Sequence, residues 1–332
     1  MHKMWKNDNK KYVLILSTLV LALAVYLGFN LIYRSKGYED RFFSLGTYVH
    51  IKIAGVSNAK SAVMGAEKII NNVYYKFNPH LKGSIVYNIN THKITKIDSE
   101  TYRLLELSKQ INIETEDAFN ITLGNLSDLW GFKDDVYPRT SMPPTELVKE
   151  TLKKTGFNNF FIYKDKVIND GVKIDLSGIA KGYAVQKAAD FIRENYPSAY
   201  GYIDAGGDIY LIGNKEGKLP WKIGVADPDS PSNSATVLSI NGSIGVVTSG
   251  DYERYYMIGK YRVCHIMNPA TGYPADNIRS TTIIGTNTEI LDALATAVFV
   301  KPSIAQKICN KFGVKILIIN KSNKIIKFYP QR

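Results

Sequence analysis

Asp292 and Thr296 stand four residues apart in the run Ile290-Leu-Asp-Ala-Leu-Ala-Thr-Ala-Val-Phe-Val300, a spacing that puts both on one face of a helix. The rest of the run is apolar, so the helix is expected to be buried all round. A carboxylate in such a place is costly unless it is hydrogen-bonded, paired or bound to a metal. Two readings fit the pair. Either Asp292 accepts backbone N–H groups from a neighbouring loop while Thr296 bonds its own helix, or both offer hard oxygens, with a backbone carbonyl, to Mg2+. That ion keeps several waters and commonly meets a substrate phosphate.

The ten residues Asp175-Leu-Ser-Gly-Ile-Ala-Lys-Gly-Tyr-Ala184 offer a place for such a phosphate. They follow the strand-like run 171–174 and open into residues 185–192, whose apolar spacing is helical. Strand, glycine turn and helix are therefore expected in succession. The first N–H groups of the helix would point outward with the positive end of its dipole behind them, and Gly178 and Gly182 would admit another backbone or a phosphate. The alternative is an ordinary strand-to-helix joint with Lys181 solvated, since the stretch is neither G-x-x-x-x-G-K-[ST] nor G-x-G-x-x-G. A third polar grouping is Val247-Thr-Ser-Gly-Asp-Tyr-Glu-Arg254 followed by His265-Ile-Met-Asn-Pro-Ala-Thr-Gly-Tyr-Pro274. These segments read as strands and turns that bring hydroxyls, Arg254 and His265 together; His265 alone would pass for a structural histidine.

The elements that must hold these groups alternate between extended and helical. Residues 47–53 alternate as a strand does, and residues 59–77 are spaced for a helix with Val63, Ala66, Ile70, Val73 and Phe77 inward. A loop over 78–90 leads to a helix from about Ser99, its cap, to Ile113, with Leu104, Leu107 and Ile111 inward. Residues 118–132 and a surface excursion through Pro138, Pro143 and Pro144 precede a helix at 145–155. Beyond the glycine stretch, strands at 200–203, 209–212, 221–225 and 236–240, with a turn at 204–208, make the chain mainly β.

At 332 residues the chain exceeds one average domain and suits one large or two intimate domains. Of its net charge of +12, five units lie in residues 1–36, leaving +7 for the remainder. No dense Lys/Arg stripe and no nucleic-acid module accompanies it, so nucleic acid is not an expected partner. Cys264 and Cys309 exclude more than one disulfide and any multi-cysteine metal site. From Tyr12 to Tyr33 no charge interrupts an apolar run, and roughly 20 such residues cross a bilayer as a helix. Four lysines precede the run and only Arg34 and Lys36 closely follow it. The positive-inside bias then puts residues 1–11 in the cytoplasm, 12–33 in the membrane as a signal anchor, and 37–332 on the extracytoplasmic side. A cleaved signal peptide is the rival, but its apolar region is shorter and no A-x-A-like site follows Asn30.

Eight separated motifs, in this order, resemble the ApbE-type FAD:protein FMN transferases. They are Leu45-Gly-Thr47; Ser84 with Asn90; Ala118-Phe-Asn-x-Thr-x-Gly124 with Leu129-Trp-Gly-Phe132; Asp175-Leu-Ser-Gly-Ile-Ala-Lys-Gly182; Ala205-Gly-Gly207; Thr248-Ser-Gly-Asp-Tyr-Glu-Arg254; His265-Ile-x-Asn-Pro-x-Thr-Gly272; and Asp292-Ala-Leu-Ala-Thr296. The resemblance covers nearly all of residues 42–332. It implies a two-lobed α+β fold with the active site in the cleft between lobes, preceded here by the transmembrane helix. It also implies an Mg2+-dependent enzyme that splits the pyrophosphate of FAD, joins FMN through a phosphoester to a Thr or Ser of an acceptor protein, and releases AMP. On that basis the carbonyl of Gly178, with Asp292 and Thr296, would hold the metal, while Asp175 and Lys181 would hold FAD. Leu45, His80, Ala118, Phe119, Asn120 and Ile266 fall at flavin- or adenine-contacting positions.

His265 falls at the position of the base, and an imidazole of ordinary pKa, about 6.5, suits that task; Asp251 is a second candidate. The chain departs from the family pattern at Leu45, commonly Met, Asn120, commonly Asp, Asn125, commonly Pro, and Asn268, commonly Asp. Asn120 keeps an acceptor but loses a charge. The family's acceptor motif resembles Asp-Gly-x-Ser/Thr-x-Ala-Thr and is absent here, so the flavin is expected to go to a different, extracytoplasmic protein. The same residues would serve an FAD pyrophosphatase giving FMN and AMP. A membrane-anchored flavin-binding protein without turnover is a further reading, though retention of FAD needs no metal at the scissile bridge.

Overall fold

The computed structural model describes residues 15–26, 28, 37–133 and 139–331. Its folded part begins with a hairpin of β1 (Tyr38–Ser44) and β2 (Thr47–Ala54). The two-residue turn has φ +56° at Leu45 and +73° at Gly46, the left-handed pair that suits the twist of a tight hairpin. Glycine enters that region freely, whereas leucine is held there against its preference.

Six more strands extend the sheet: β3 (Tyr200–Ala205), β4 (Asp208–Ile212), β5 (Ile244–Gly250), β6 (Ile278–Gly285), β7 (Lys315–Asn320) and β8 (Ile325–Phe328). All eight pair antiparallel in the order in which they occur along the chain. Every connection therefore either turns straight back or carries an insertion, and the chemistry lies in the insertions. The principal helices are α1 (Ala59–Phe77), α2 (Ser99–Glu114), α3 (Ser177–Asn195) and α4 (Thr288–Val300). The fold is mixed α/β.

The main core joins Val49, Ile51 and Ile53 of β2 to Ile70 of α1, Ala188 of α3 and Leu294 of α4. Across the sheet, a hairpin of Trp221–Asp227 and Ser230–Ile240 covers Leu211 and Val246. A separate cluster holds Leu126, Trp130, Val148, Val263 and Met267. There Trp130 Nε1 donates to the Gly272 carbonyl at 2.8 Å and Tyr256 Oη donates to the Trp130 carbonyl at 2.5 Å. Those two bonds fasten the segment carrying His265 to the segment around Trp130.

α1 has the expected bounds, and the five residues expected inward are buried. Three other expectations need correction. The cap of α2 is Asp98 rather than Ser99: its Oδ1 accepts the Thr101 N–H at 2.9 Å and the Thr101 hydroxyl at 2.6 Å, because a carboxylate one residue earlier reaches the free amides. Residues 85–91 form a short helix capped by Ser84, within what was expected to be a loop. Residues 171–174 belong to no strand. Instead Asn90 clasps Ile174, accepting its N–H at 2.8 Å and donating to its carbonyl at 2.9 Å. A side-chain amide thus stands in for a neighbouring strand.

Residues 15–26 are helical; most of the remainder of the expected membrane span 12–33 lies outside the described residues. Among the described residues no helix is long and apolar enough to cross a membrane. Pro138 also lies outside them, and Pro143 and Pro144 lead into a helix over Thr145–Leu152, shorter than expected.

α3 and α4 pack closely through glycine. A Cβ on Gly182 would strike the Thr288 carbonyl and lie 2.6 Å from Asp292 Cβ. Gly182→Ala is accordingly expected to destabilise the fold by roughly 1–3 kcal/mol through overpacking, read as a drop of several degrees in Tm. An unchanged melting curve would show that the two helices separate at no cost.

Candidate active site

The crossing of α3 and α4 sets Gly178 opposite Thr296 and Gly182 opposite Asp292. Asp292, only 3% exposed, accepts the Gly182 N–H through Oδ2 at 2.8 Å. In a regular helix that N–H is aimed at the carbonyl four residues back, which is that of Gly178. The carboxylate competes for the proton and weakens the hold on the Gly178 oxygen. The hydroxyl of half-buried Thr296 makes no hydrogen bond among the described residues. The plainer reading of the pair is thus half realised: Asp292 accepts a backbone N–H, from a helix rather than a loop, but Thr296 does not bond its own helix.

Burial raises the pKa of Asp292, against the pull of Lys181 and the Gly182 N–H. A carboxylate so placed favours a cation beside it. Together with the Gly178 carbonyl and the unsatisfied Thr296 hydroxyl it makes a hard-oxygen set that fits Mg2+. Among the described residues no three His, Cys, Asp or Glu side chains are grouped for a metal, so this mixed backbone and side-chain set is the candidate.

Lys181 reaches from α3 to β4, where its Nζ lies 2.6 Å from Oδ1 of the fully buried Asp208. The contact is an ion pair without hydrogen-bond alignment, and neither Asp208 oxygen has a hydrogen-bond partner. Burial and the charge of Asp292 push the Asp208 pKa well above the carboxylate range, with Lys181 opposing. Burial alone would lower Lys181, but the charges of Asp208, Asp292 and Glu253 outweigh it and keep the ammonium charged. Three acidic side chains thus surround one ammonium, which is their common partner.

Glu253 lies just past β5, its Oε1 3.8 Å from the position a Cβ on Gly207 would take. Its surface is exposed, yet protein surrounds it on its other sides. Burial is the main cause that pushes its pKa up to about 7; Lys181 opposes this and Asp208 adds to it.

His265 directs both its backbone N–H, at 3.1 Å, and Nδ1, at 3.2 Å, at the Arg254 carbonyl. A carbonyl only accepts, so Nδ1 carries the proton and Nε2 keeps its lone pair. Burial, then the charges of Arg254 and Lys181, lower the imidazole pKa to about 4. The ring is neutral at physiological pH and a weaker base than the ordinary value expected for it. Asp251 bonds Arg262 through Oδ1 and Arg279 through Oδ2, each at 2.8 Å, so both of its oxygens are engaged.

Asp175, just before α3, accepts the Ser177 N–H at 2.8 Å, while its own N–H donates to the Ile121 carbonyl. That bond brings residues 118–122 alongside, where the Phe119 ring edge lies 3.4 Å from the Cβ position of Gly178 and Ala118 is buried. Asn120 is spent within its own loop: Oδ1 accepts the Thr122 N–H and hydroxyl, and Nδ2 donates to Asp117. Leu45 packs, partly buried, against the main core, and its hairpin abuts Gly206 through Thr47. Ile266 is buried beside His265. His80 is an exposed loop residue whose N–H donates to Asn78.

Gly178, Lys181, Asp292 and Thr296 therefore meet as expected, with Phe119 beside them. His265 and Ile266 arrive on the Trp130 cluster, and the contacts described do not tie His80 to the group. Asp208 and Glu253 were not expected. Both stand in quoted motifs or turns, and an acidic residue ending the turn 204–208 at the start of an apolar strand was the available signal for Asp208. Two open surface hollows, one bordered by Asn72, Lys76 and Ser84 and one by Arg103, Leu107 and Gln110, contain none of these residues.

A helix start, a lysine and hard oxygens gathered at one crossing meet the requirements of a phosphate-binding α/β protein. The ApbE family profile matches residues 45–318, and the chain belongs to the ApbE family. It is similar to the FAD:protein FMN transferase of Vibrio cholerae, 27% identical over 266 residues that cover 77% of this chain and 79% of that protein. Its counterpart of the same name in Escherichia coli K12 is 26% identical over 302 residues, 86% of this chain and 84% of the relative. Among solved structures, the ApbE protein of Thermotoga maritima superposes with a TM-score of 0.83 at 36% identity, over 88% of this chain and 97% of its own. The flavin transferase ApbE of Vibrio cholerae shares the fold at a TM-score of 0.77 and 24% identity, over 90% and 98%.

Proposed function

We propose that this chain transfers the FMN half of FAD to a Thr or Ser hydroxyl of another protein, forming a phosphoester and releasing AMP. The observation that carries the reading is the α3–α4 crossing, where the start of a helix, the charged Lys181 and the oxygens of Gly178, Asp292 and Thr296 converge. Membership of the ApbE family and relatives named FAD:protein FMN transferase support it.

The α3 amides and Lys181 receive the diphosphate, and Asp208 holds Lys181 in place from beneath. Mg2+, when bound by the Gly178 carbonyl, Asp292 and Thr296, would neutralise the diphosphate oxygens as the displacement proceeds. The flavin nucleotide lies in the cleft between the main core and the Trp130 cluster, the two lobes of the fold, lined by Leu45, His80, Ala118, Phe119, Asn120, Asp175 and Ile266. Through Nε2, His265 accepts a hydrogen bond from the incoming hydroxyl and aims it in line at the FMN-side phosphorus.

Incubation with FAD, Mg2+ and a peptide containing Asp-Gly-x-Thr-x-Ala-Thr is expected to add the mass of FMN to the peptide. Free FMN and AMP beside an unmodified peptide would overturn transfer in favour of hydrolysis. The reading also includes a membrane tether over residues 12–33, motivated by the uncharged run and the lysines before it. Protease added to cells stripped of any wall is expected to digest residues 37–332; complete protection of that part would place it on the other side.

A further inference from the structure

The seam between α3 and α4 is stepped in fours on both sides. Along α4, Thr288, Asp292 and Thr296 recur every four residues, and along α3, Gly178, Gly182 and Gln186 do the same, so each set forms one ridge of its helix. The ridges run in opposite directions. Thr288 bonds Gln186 and Gly182, Asp292 bonds Gly182, and Thr296 lies opposite Gly178. One end of the seam is therefore closed by hydrogen bonds, while the other presents the oxygens offered to a cation.

The closed end is built on Thr288, whose N–H and hydroxyl both reach α3. Its N–H is among the first amides of α4, which have no partner within their own helix, and it donates to Gln186 Oε1 at 2.8 Å. The Thr288 hydroxyl donates to the Gly182 carbonyl at 2.9 Å and lies 3.2 Å from the same Gln186 oxygen. Asp190 keeps the Gln186 amide turned this way, accepting from its Nε2 at 3.0 Å. Thr288 is fully buried, and its methyl group occupies the space beside Gly245 of β5, where a Cβ would lie 2.6 Å from it. Gly182 is thus gripped at both its polar backbone atoms, the carbonyl by Thr288 and the N–H by Asp292, one turn apart on α4.

We propose that Thr288 and Gln186 are positioning residues for the cation: they fix how far α4 slides along α3, and so hold the Gly178 carbonyl in register with Asp292 and Thr296. The bond from Gly182 to Asp292 acts alone as a pivot, whereas two bonds a turn apart remove the freedom to slide. This inference rests on the reading of those three oxygens as the Mg2+ site. Mg2+ demands near-ideal octahedral geometry, while Ca2+ tolerates a range of distances and ligand numbers. A seam released at its closed end should lose Mg2+ before it loses Ca2+.

The test uses the full chain without FAD, titrated with Mg2+ and separately with Ca2+ in a calorimeter, with a melting curve for each variant. Thr288→Val removes the hydroxyl but keeps the branched shape and the methyl group beside Gly245; Thr288→Ser keeps the hydroxyl. Gln186→Leu opens the same latch from a half-buried position outside the core. Thr288→Val and Gln186→Leu are each expected to weaken Mg2+ binding by about 10–100-fold, the usual effect of removing a group that orients a metal ligand, and to weaken Ca2+ less. Thr288→Ser should bind Mg2+ nearly as the native protein does. The double variant should bind little worse than either single one, because both substitutions release one contact. Since the three oxygens remain, FMN transfer by the single variants should recover as Mg2+ is raised.

Native Mg2+ affinity in Thr288→Val and Gln186→Leu, with only a lowered Tm, would reduce the latch to a packing contact. Equal weakening of both ions, or a Thr288→Ser variant as poor as Thr288→Val, would also overturn the positioning role. A native protein that binds no Mg2+ would overturn the metal reading beneath it instead.

Discussion

Asp292→Ala is expected to lose FMN transfer almost completely, by at least about 10³-fold, because a carboxylate between a metal and a diphosphate supplies several kcal/mol of transition-state stabilisation. Asp292 also accepts the Gly182 N–H, so the alanine variant loses a buried hydrogen bond, a loss of about 1–3 kcal/mol. Asp292→Asn separates the two effects. Its amide oxygen still accepts from Gly182, but it carries no charge for a cation. If Asp292 is a ligand, the asparagine variant should melt near the native temperature, bind Mg2+ weakly by calorimetry, and transfer as poorly as the alanine variant. An asparagine variant with native Mg2+ dependence and rate would reduce Asp292 to a helix-to-helix hydrogen bond.

His265→Ala is the second large effect. Loss of the ring removes the acceptor at Nε2 but leaves the backbone bond from His265 to Arg254. The loss of rate is expected at roughly 10²-fold, the effect of a misaligned hydroxyl, with FAD and Mg2+ binding retained. The imidazole is neutral above about 4, so the surviving rate should keep the pH dependence of the native protein. Single-turnover transfer across pH, with FAD affinity measured by flavin fluorescence, checks both parts. A variant that fails only because FAD no longer binds would make His265 a nucleotide contact instead.

Much of the site was legible in the sequence because helical spacing needs no tertiary information. Asp292 and Thr296 share a face whatever surrounds them, and α4 is buried as its composition requires. α1 was readable for the same reason. What could not be read were contacts made by the sheet and by close backbone approach. Asp208 becomes a partner of Lys181 only because β4 runs beneath α3, and Glu253 joins them only because its loop follows β5 past the Gly207 turn. The cap at Asp98 and the clasp of Asn90 on Ile174 turn on a single side-chain reach, which periodicity does not encode. Gly182 was read as admitting either another backbone or a phosphate, and it is the backbone of α4 that comes close. The neighbourhood of Arg254 was legible, but the lowered pKa of His265 was not, because its first cause is burial and Lys181 adds to it from α3.

The bond from Gly182 to Asp292 spans 110 residues of chain, and α4 is among the last elements to leave the ribosome. Until it does, α3 carries a glycine face with nothing against it, and the oxygens of Asp292 and Thr296 are not yet made. A nascent chain can pair β1 with β2 and build α1 on them, but it cannot grip a nucleotide. A chain that stops before residue 288 would keep most of the sheet and most of the quoted motifs while lacking two of the three oxygens proposed to hold a cation.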